Sequence, residues 1–241
     1  MDNITLGKNV VIEEGAKIGQ GCIIGHNVVI HSSVELGEKV VIGDNSVLGK
    51  MPYKSKVSAT TTEKRLPPLI IEDNCVVGAG CILYTGAHLH TDCFVGDYAT
   101  IREDVEIGEK TVVGKGVSIE NKCSIGKRVK IETEAYITAF SIIEDYCFIA
   151  PEVTFTNDNF LGRTEERKKY FKGPILKKGA RIGANATLLP GLIIGEDTLV
   201  AAGSVVTHNL EPRKIYAGVP ARYFKDVPEE QLLENQEFYS E

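Results

Sequence analysis

The chain has 241 residues, 43% of them hydrophobic, with 27 basic and 33 acidic side chains and a net charge of −6. That is ordinary for a soluble globular protein and long enough for a self-sufficient core. The acidic balance argues against a nucleic-acid binder that depends on backbone charge. No apolar run approaches the roughly 20 residues that span a bilayer, and Met1-Asp2-Asn3 begins nothing like a signal peptide. The expectation is a cytoplasmic protein with neither nucleic acid nor membrane as a partner.

Reading every sixth residue from Leu6 gives Leu6, Ile12, Ile18, Ile24 and so on to Leu48. The frame resumes from Ile71 to Phe155 and again from Leu176 to Val206, with Leu, Ile or Val at 28 of its 29 positions. Two residues before each aliphatic lies a second, smaller inward position, such as Val10, Ala16, Ala87 or Ala180. Small-x-aliphatic is a short strand of period two, whereas a six-residue period would drift around a helix. Glycine often follows the aliphatic, as at Gly25, Gly43, Gly78 and Gly183, which suggests corners that need permissive backbone angles. Three hexads make an 18-residue triangular coil. The expected fold is therefore all-β, a parallel β-helix of roughly nine to ten coils over residues 1–206. All six cysteines (Cys22, Cys75, Cys81, Cys93, Cys123 and Cys147) occupy the small inward position, so they read as small core fillers in a reduced environment.

Two breaks interrupt the frame, a loop at about 49–69 and another at about 158–173. Solenoids tolerate such insertions at corners, usually on the functional face. The first carries Lys50, Lys54, Lys56, Lys64 and Arg65 against Glu63; the second carries Arg163, Arg167, Lys168, Lys169 and Lys172 against Asp158, Glu165 and Glu166. Cationic loops on an acidic body suggest an anionic ligand, most plausibly phosphate. Residues 207–241 read as a turn at Gly218-Val219-Pro220-Ala221-Arg222 and a short helix from Pro228 to Phe238, together capping the last coil.

The hexads, with Ile182-Gly183-Ala184, the run Val200-Ala201-Ala202-Gly203-Ser204-Val205-Val206-Thr207 and the 218–222 turn, resemble the left-handed β-helix family of hexapeptide-repeat acyltransferases. Ala135-Tyr136-Ile137-Thr138-Ala139, Thr156-Asn157-Asp158-Asn159, Gly162-Arg163, Ile101-Arg102-Glu103 and Gly173-Pro174 resemble more narrowly the enzymes that acetylate dTDP-linked 3-amino-3,6-dideoxyhexoses for surface polysaccharides. The resemblance implies left-handed winding, acetyl-CoA as cosubstrate, a nucleotide-linked amino sugar as acceptor, a homotrimer and no metal.

It also implies roles. Asn157 would orient the sugar amine, and Asp158 would hold the ammonium and accept its proton. The small Ala184 and Ala202 would expose backbone N–H groups to the pantetheine arm and the thioester oxygen. Lys214 and Arg222 are candidates for the CoA phosphates and Arg102 for the nucleotide diphosphate. Residues eighteen apart share one edge of the prism, so Asn157 stacks over Ala139, Asn121, Glu103 and Thr85, which brings Glu103 and Asn121 into the acceptor site. Asn121 and Ala139 stand where the resemblance leads one to expect His and an acidic residue. Of the five histidines, His88 and His90 are expected on the surface. Two other readings remain: a non-catalytic β-helix scaffold, and a γ-class carbonic anhydrase, whose two-His segment Gly25-His26-Asn27-Val28-Val29-Ile30-His31 resembles but whose third His is missing.

Overall fold

The computed structural model describes residues 3–56 and 65–237. Each hexad forms a two-residue strand with one outward and one inward side chain, such as Val76–Val77 or Tyr136–Ile137. Successive strands fall in turn on three faces, here A, B and C, each pairing in parallel with the strand eighteen residues on; thus Ile82 faces Thr100 and Leu83 faces Ile101. The inward aliphatics Leu83, Leu89, Val95 and Ile101 are fully buried, each stabilising the fold by about 1.5–3 kcal/mol. The architecture is a parallel β-solenoid.

Among the described residues, faces B and C have ten and nine strands, and face A has twelve, from Thr5–Leu6 to Arg222–Asp226. Only the last of the twelve is antiparallel, leaving eleven stacked layers rather than nine to ten. The excess arises beyond the hexads. Leu210 bridges Ile194, and Lys214–Ala217 pairs with Leu199–Val200, continuing the coil without the six-residue signature.

Glycine has two distinct uses here. Apart from Gly49 at the first insertion, the glycine directly after the aliphatic has no positive φ; it is required by close stacking, since a Cβ on Gly43 would lie 2.5 Å from the carbonyl carbon of Gly78. The permissive angle is needed two residues later, where Gly21 and Gly80 have φ of 71° and 66°. The same corner position elsewhere holds Asn27, Lys110 or Tyr146 at φ of 55–60°.

All six cysteines are free and buried. They also do more than fill space. Cys22, Cys81 and Cys123 donate their thiols to the corner carbonyls of Gly37, Gly96 and Thr138 at 3.1–3.2 Å, and Thr111 Oγ1 treats Gly126 the same way at 2.8 Å. Burial pushes the Cys123 and Cys147 thiols up to about 12.

The segment 218–221 lies over the last coil, with Ala221 N–H donating to Val205 and the peptide bond before Pro220 cis. Beyond it the chain doubles back along face A. In place of the expected short helix, Arg222–Asp226 is a strand followed by 3-10 turns at Glu229–Gln231 and Leu233–Asn235. Val227 and Leu232 bury themselves against Ile215 and the partly buried Leu199. At the opposite end the first coil is open, and Leu6 is 49% exposed.

Candidate functional site

Both insertions leave from one prism edge. The first departs after the face-B strand Val47–Lys50 and returns at the face-C strand Leu69–Ile71; the second runs from Thr154–Phe155 on B to Ile175–Leu176 on C. They are five coils apart, roughly 24 Å along the axis at the strand spacing of a sheet. Lys64 and Glu63 of the first lie outside the described residues.

Between the insertions this BC edge carries the column Thr85, Glu103, Asn121 and Ala139, in line with Asn157. The first four are buried, Asn121 completely. Glu103 sits in a charge-assisted fork: Arg102 Nε and Nη2 donate to its two oxygens at 2.8 and 3.0 Å, and Asn121 Nδ2 donates at 3.2 Å. Arg102 Nη1 also donates to Glu120 at 3.2 Å, and its guanidinium lies 4.9 Å from the Tyr84 ring centroid. Burial works against the Arg102 charge, yet Glu103 and Glu120 outweigh it and hold its pKa above the ordinary value. Arg102, Glu103 and Asn121 thus form one network. Glu120 belongs to it and was legible as the residue eighteen beyond Arg102.

Asn157 and Asp158 stand half-buried where the second insertion departs. Among the described residues no hydrogen bond to the half-buried Asn157 side chain is formed. Asp158 is differently placed. Its Oδ1 accepts the N–H of Phe160 at 2.8 Å, and its Oδ2 accepts both Gly162 N–H and Arg167 Nη1 at 2.9 Å. Partial burial raises the carboxyl, but those two N–H groups and Arg167 outweigh it and hold it below the usual carboxylate range. Asp158 therefore organises the loop, and its geometry makes it a weak proton acceptor. Arg167 is among the cationic residues that mark the insertion in the sequence, but with no repeat to place it, its pairing with Asp158 was not legible.

Ala184 and Ala202 lie one above the other on the AB edge. At three lower corners of this edge, an oxygen or nitrogen one coil on takes the corner N–H: His26 Nδ1 accepts from Lys8 at 2.7 Å, Asp44 from His26 at 2.6 Å, and Asp97 from Ala79 at 2.8 Å. Ala202 has no side-chain acceptor to offer Ala184, and Gly218 has none to offer Ala202. Among the described residues neither alanine's N–H is bonded. Lys214 is engaged by Asp226, with Nζ at 2.7 Å from Oδ1, while Arg222 is exposed. Within one chain, face B separates these amides from Asn157. His26 and His31 are held by Lys8 N–H and by Glu13, respectively. His88 and His90 are not loose surface groups; they lie beside Glu72 and Glu106. No helix among the described residues is long and apolar enough to cross a membrane.

Residues 15–50 and 173–208 match the profile for the bacterial transferase hexapeptide (six repeats), and residues 68–96 that for the hexapeptide repeat of succinyl-transferase. The chain is 33% identical over 88 residues to galactoside O-acetyltransferase of Escherichia coli K12, covering 35% of this chain and 43% of that protein. It is 50% identical over 52 residues to dTDP-3-amino-3,6-dideoxy-alpha-D-galactopyranose 3-N-acetyltransferase of Aneurinibacillus thermoaerophilus, covering 22% and 27%. The chain thus spans less than half the length of these relatives. In fold it is similar to Arabidopsis UDP-N-acetylglucosamine acyltransferase, with a TM-score of 0.54 at 15% identity, covering 93% of this chain and 70% of that one. The repeat profiles and the acetyltransferase relatives support the hexapeptide-repeat acyltransferase family for this chain.

Proposed function

We propose that the protein transfers an acetyl group from acetyl-CoA to the amine of a nucleotide-linked amino sugar, with a dTDP-linked 3-amino-3,6-dideoxyhexose as the first candidate. The observation that carries the reading is the pair of stacked amides at Ala184 and Ala202, unbonded among the described residues and carried by side chains too small to cover them. The neutral sugar amine, oriented by Asn157 Oδ1, attacks the thioester carbonyl. Ala184 N–H stabilises the developing oxyanion, the C–S bond breaks, and the proton lost by nitrogen goes to the leaving thiolate. Asp158 shapes the loop that presents Asn157. Arg102, Glu103 and Asn121 line the acceptor side, and Arg222 reaches for the CoA phosphates, with Lys214 shared between them and Asp226.

Because the amides and Asn157 occupy different edges, the reading requires a neighbouring copy, hence a homotrimer. The outward positions of face A support it, with an apolar column that includes Ile23, Phe94 and Phe148, 37–49% exposed. Left-handed winding is part of the same reading. The test is thiol release from acetyl-CoA against a panel of dTDP- and UDP-linked amino sugars. Acceptor-dependent release with at least one of them is expected. No release with any, together with no acetyl-CoA binding in calorimetry, refutes the proposal.

A further inference from the structure

On face C, four coils and roughly 19 Å along the axis from Asn157, two histidines and two carboxylates meet. His88 and His90 flank the inward Leu89, so both rings emerge on the same outer surface, with centroids 4.2 Å apart. The register completes the square: His90 follows in line with Glu72 eighteen residues earlier, and Glu106 pairs directly with His88. Glu72 Oε1 lies 2.8 Å from His88 Nε2 and 3.1 Å from His90 Nδ1. One ligand atom from each of Glu72, His88 and His90 lies within 4.8 Å of the other two.

The surrounding contacts are those a metal-binding group needs. Glu72 Oε2 accepts the N–H of Thr91 at 3.1 Å, which fixes the carboxylate and turns Oε1 toward the rings. The other nitrogen of His90 contacts Glu106 Oε1 at 2.8 Å, so a carboxylate stands behind a ligand imidazole and can set its tautomer. Each of the four residues is still between a quarter and three-fifths exposed, which leaves an entry path. Elsewhere on the solenoid the corresponding device is simpler: Glu13 fixes its carboxylate on Ser32 N–H and meets the single His31.

We propose that Glu72, His88 and His90 bind one divalent first-row transition ion, with Zn2+ as the committed candidate. His88 Nε2, His90 Nδ1 and Glu72 Oε1 are the ligands, and Glu106 is the positioning residue behind His90. Two imidazoles and one carboxylate form a recognised donor set for zinc that leaves a coordination position for water. The ion ties two successive coils together from outside, since Glu72 and the histidines belong to different turns, and it is independent of acetyl transfer.

The test uses the full-length chain, stripped of metal and titrated with Co2+ as a coloured probe, then with Zn2+ as competitor. The expected result is one Co2+ per chain with visible d–d absorption, displaced by Zn2+, and a melting temperature that rises with Zn2+. His88→Ala and His90→Ala should abolish the absorption and the shift, Glu106→Gln should weaken binding about tenfold or more, and His31→Ala should change nothing. Glu106→Gln alters only an exposed carboxylate, so it decides the matter if a histidine variant fails to fold. Absence of d–d absorption, or absorption that survives in His88→Ala and His90→Ala, overturns the proposal.

Discussion

The AB and BC edges of the prism are built from the same repeat and treat polar groups in opposite ways. On the BC edge, side chains turn into the molecule and bind one another, so Arg102, Glu103, Glu120 and Asn121 form a network flanked by two cationic insertions. On the AB edge the upper coils carry Ala184 and Ala202, whose small side chains offer no acceptor and whose backbone N–H groups are unbonded among the described residues. The contrast teaches that a repeat can build two kinds of site from one corner, by adding atoms or by withholding them.

The largest effect should come from opening the BC network. Arg102→Met leaves Glu103, only 3% exposed, with Asn121 but no cation, and should destabilise the fold by about 3 kcal/mol in chemical denaturation. Unchanged stability would mean that the network is ornamental. Asn157→Ala should lower turnover with the best acceptor at least about tenfold while the melting temperature holds; a normal rate would move the acceptor elsewhere. Ala202→Asp tests the AB edge in the fold's own terms. It gives Ala184 the carboxylate that Asp97 gives Ala79, so the chain should fold normally while acetyl-CoA affinity falls about tenfold, the worth of one net hydrogen bond. Undiminished affinity in calorimetry would remove the amides from the CoA site.

The smallest effect concerns pH. The Asp158 carboxyl is held below its ordinary value, so its contribution to loop order is fully present above the unfolded-state pKa of about 3.9. That contribution is lost as pH falls through the lower folded value. Proteolysis within 158–173 should therefore quicken in acid, and Asp158→Asn should cleave rapidly at every pH.

The solenoid was legible because burial imposes a period of six on the chain and backbone pairing imposes eighteen. The same arithmetic placed Asn157 over Asn121 and Glu103 and contained the square of Glu72, His88, His90 and Glu106, which became visible only when outward positions were paired as carefully as inward ones. What escaped reading lacked the period. Lys214–Ala217 stacks as strand without a hexad, Arg167 clamps Asp158 from inside a loop, and Glu229–Gln231 and Leu233–Asn235 form 3-10 turns in which no residue is buried. The glycine that often follows the aliphatic was recognised but credited to backbone angles, because a sequence shows composition and not how near the next coil passes.

Because the two basic insertions spring from one edge with only whole coils between them, their separation is quantised. Duplicating or deleting eighteen residues in that stretch would shift one arm relative to the other by about 4.8 Å while preserving its heading. The solenoid thus carries a built-in ruler, on which the distance between the two arms changes only by whole turns.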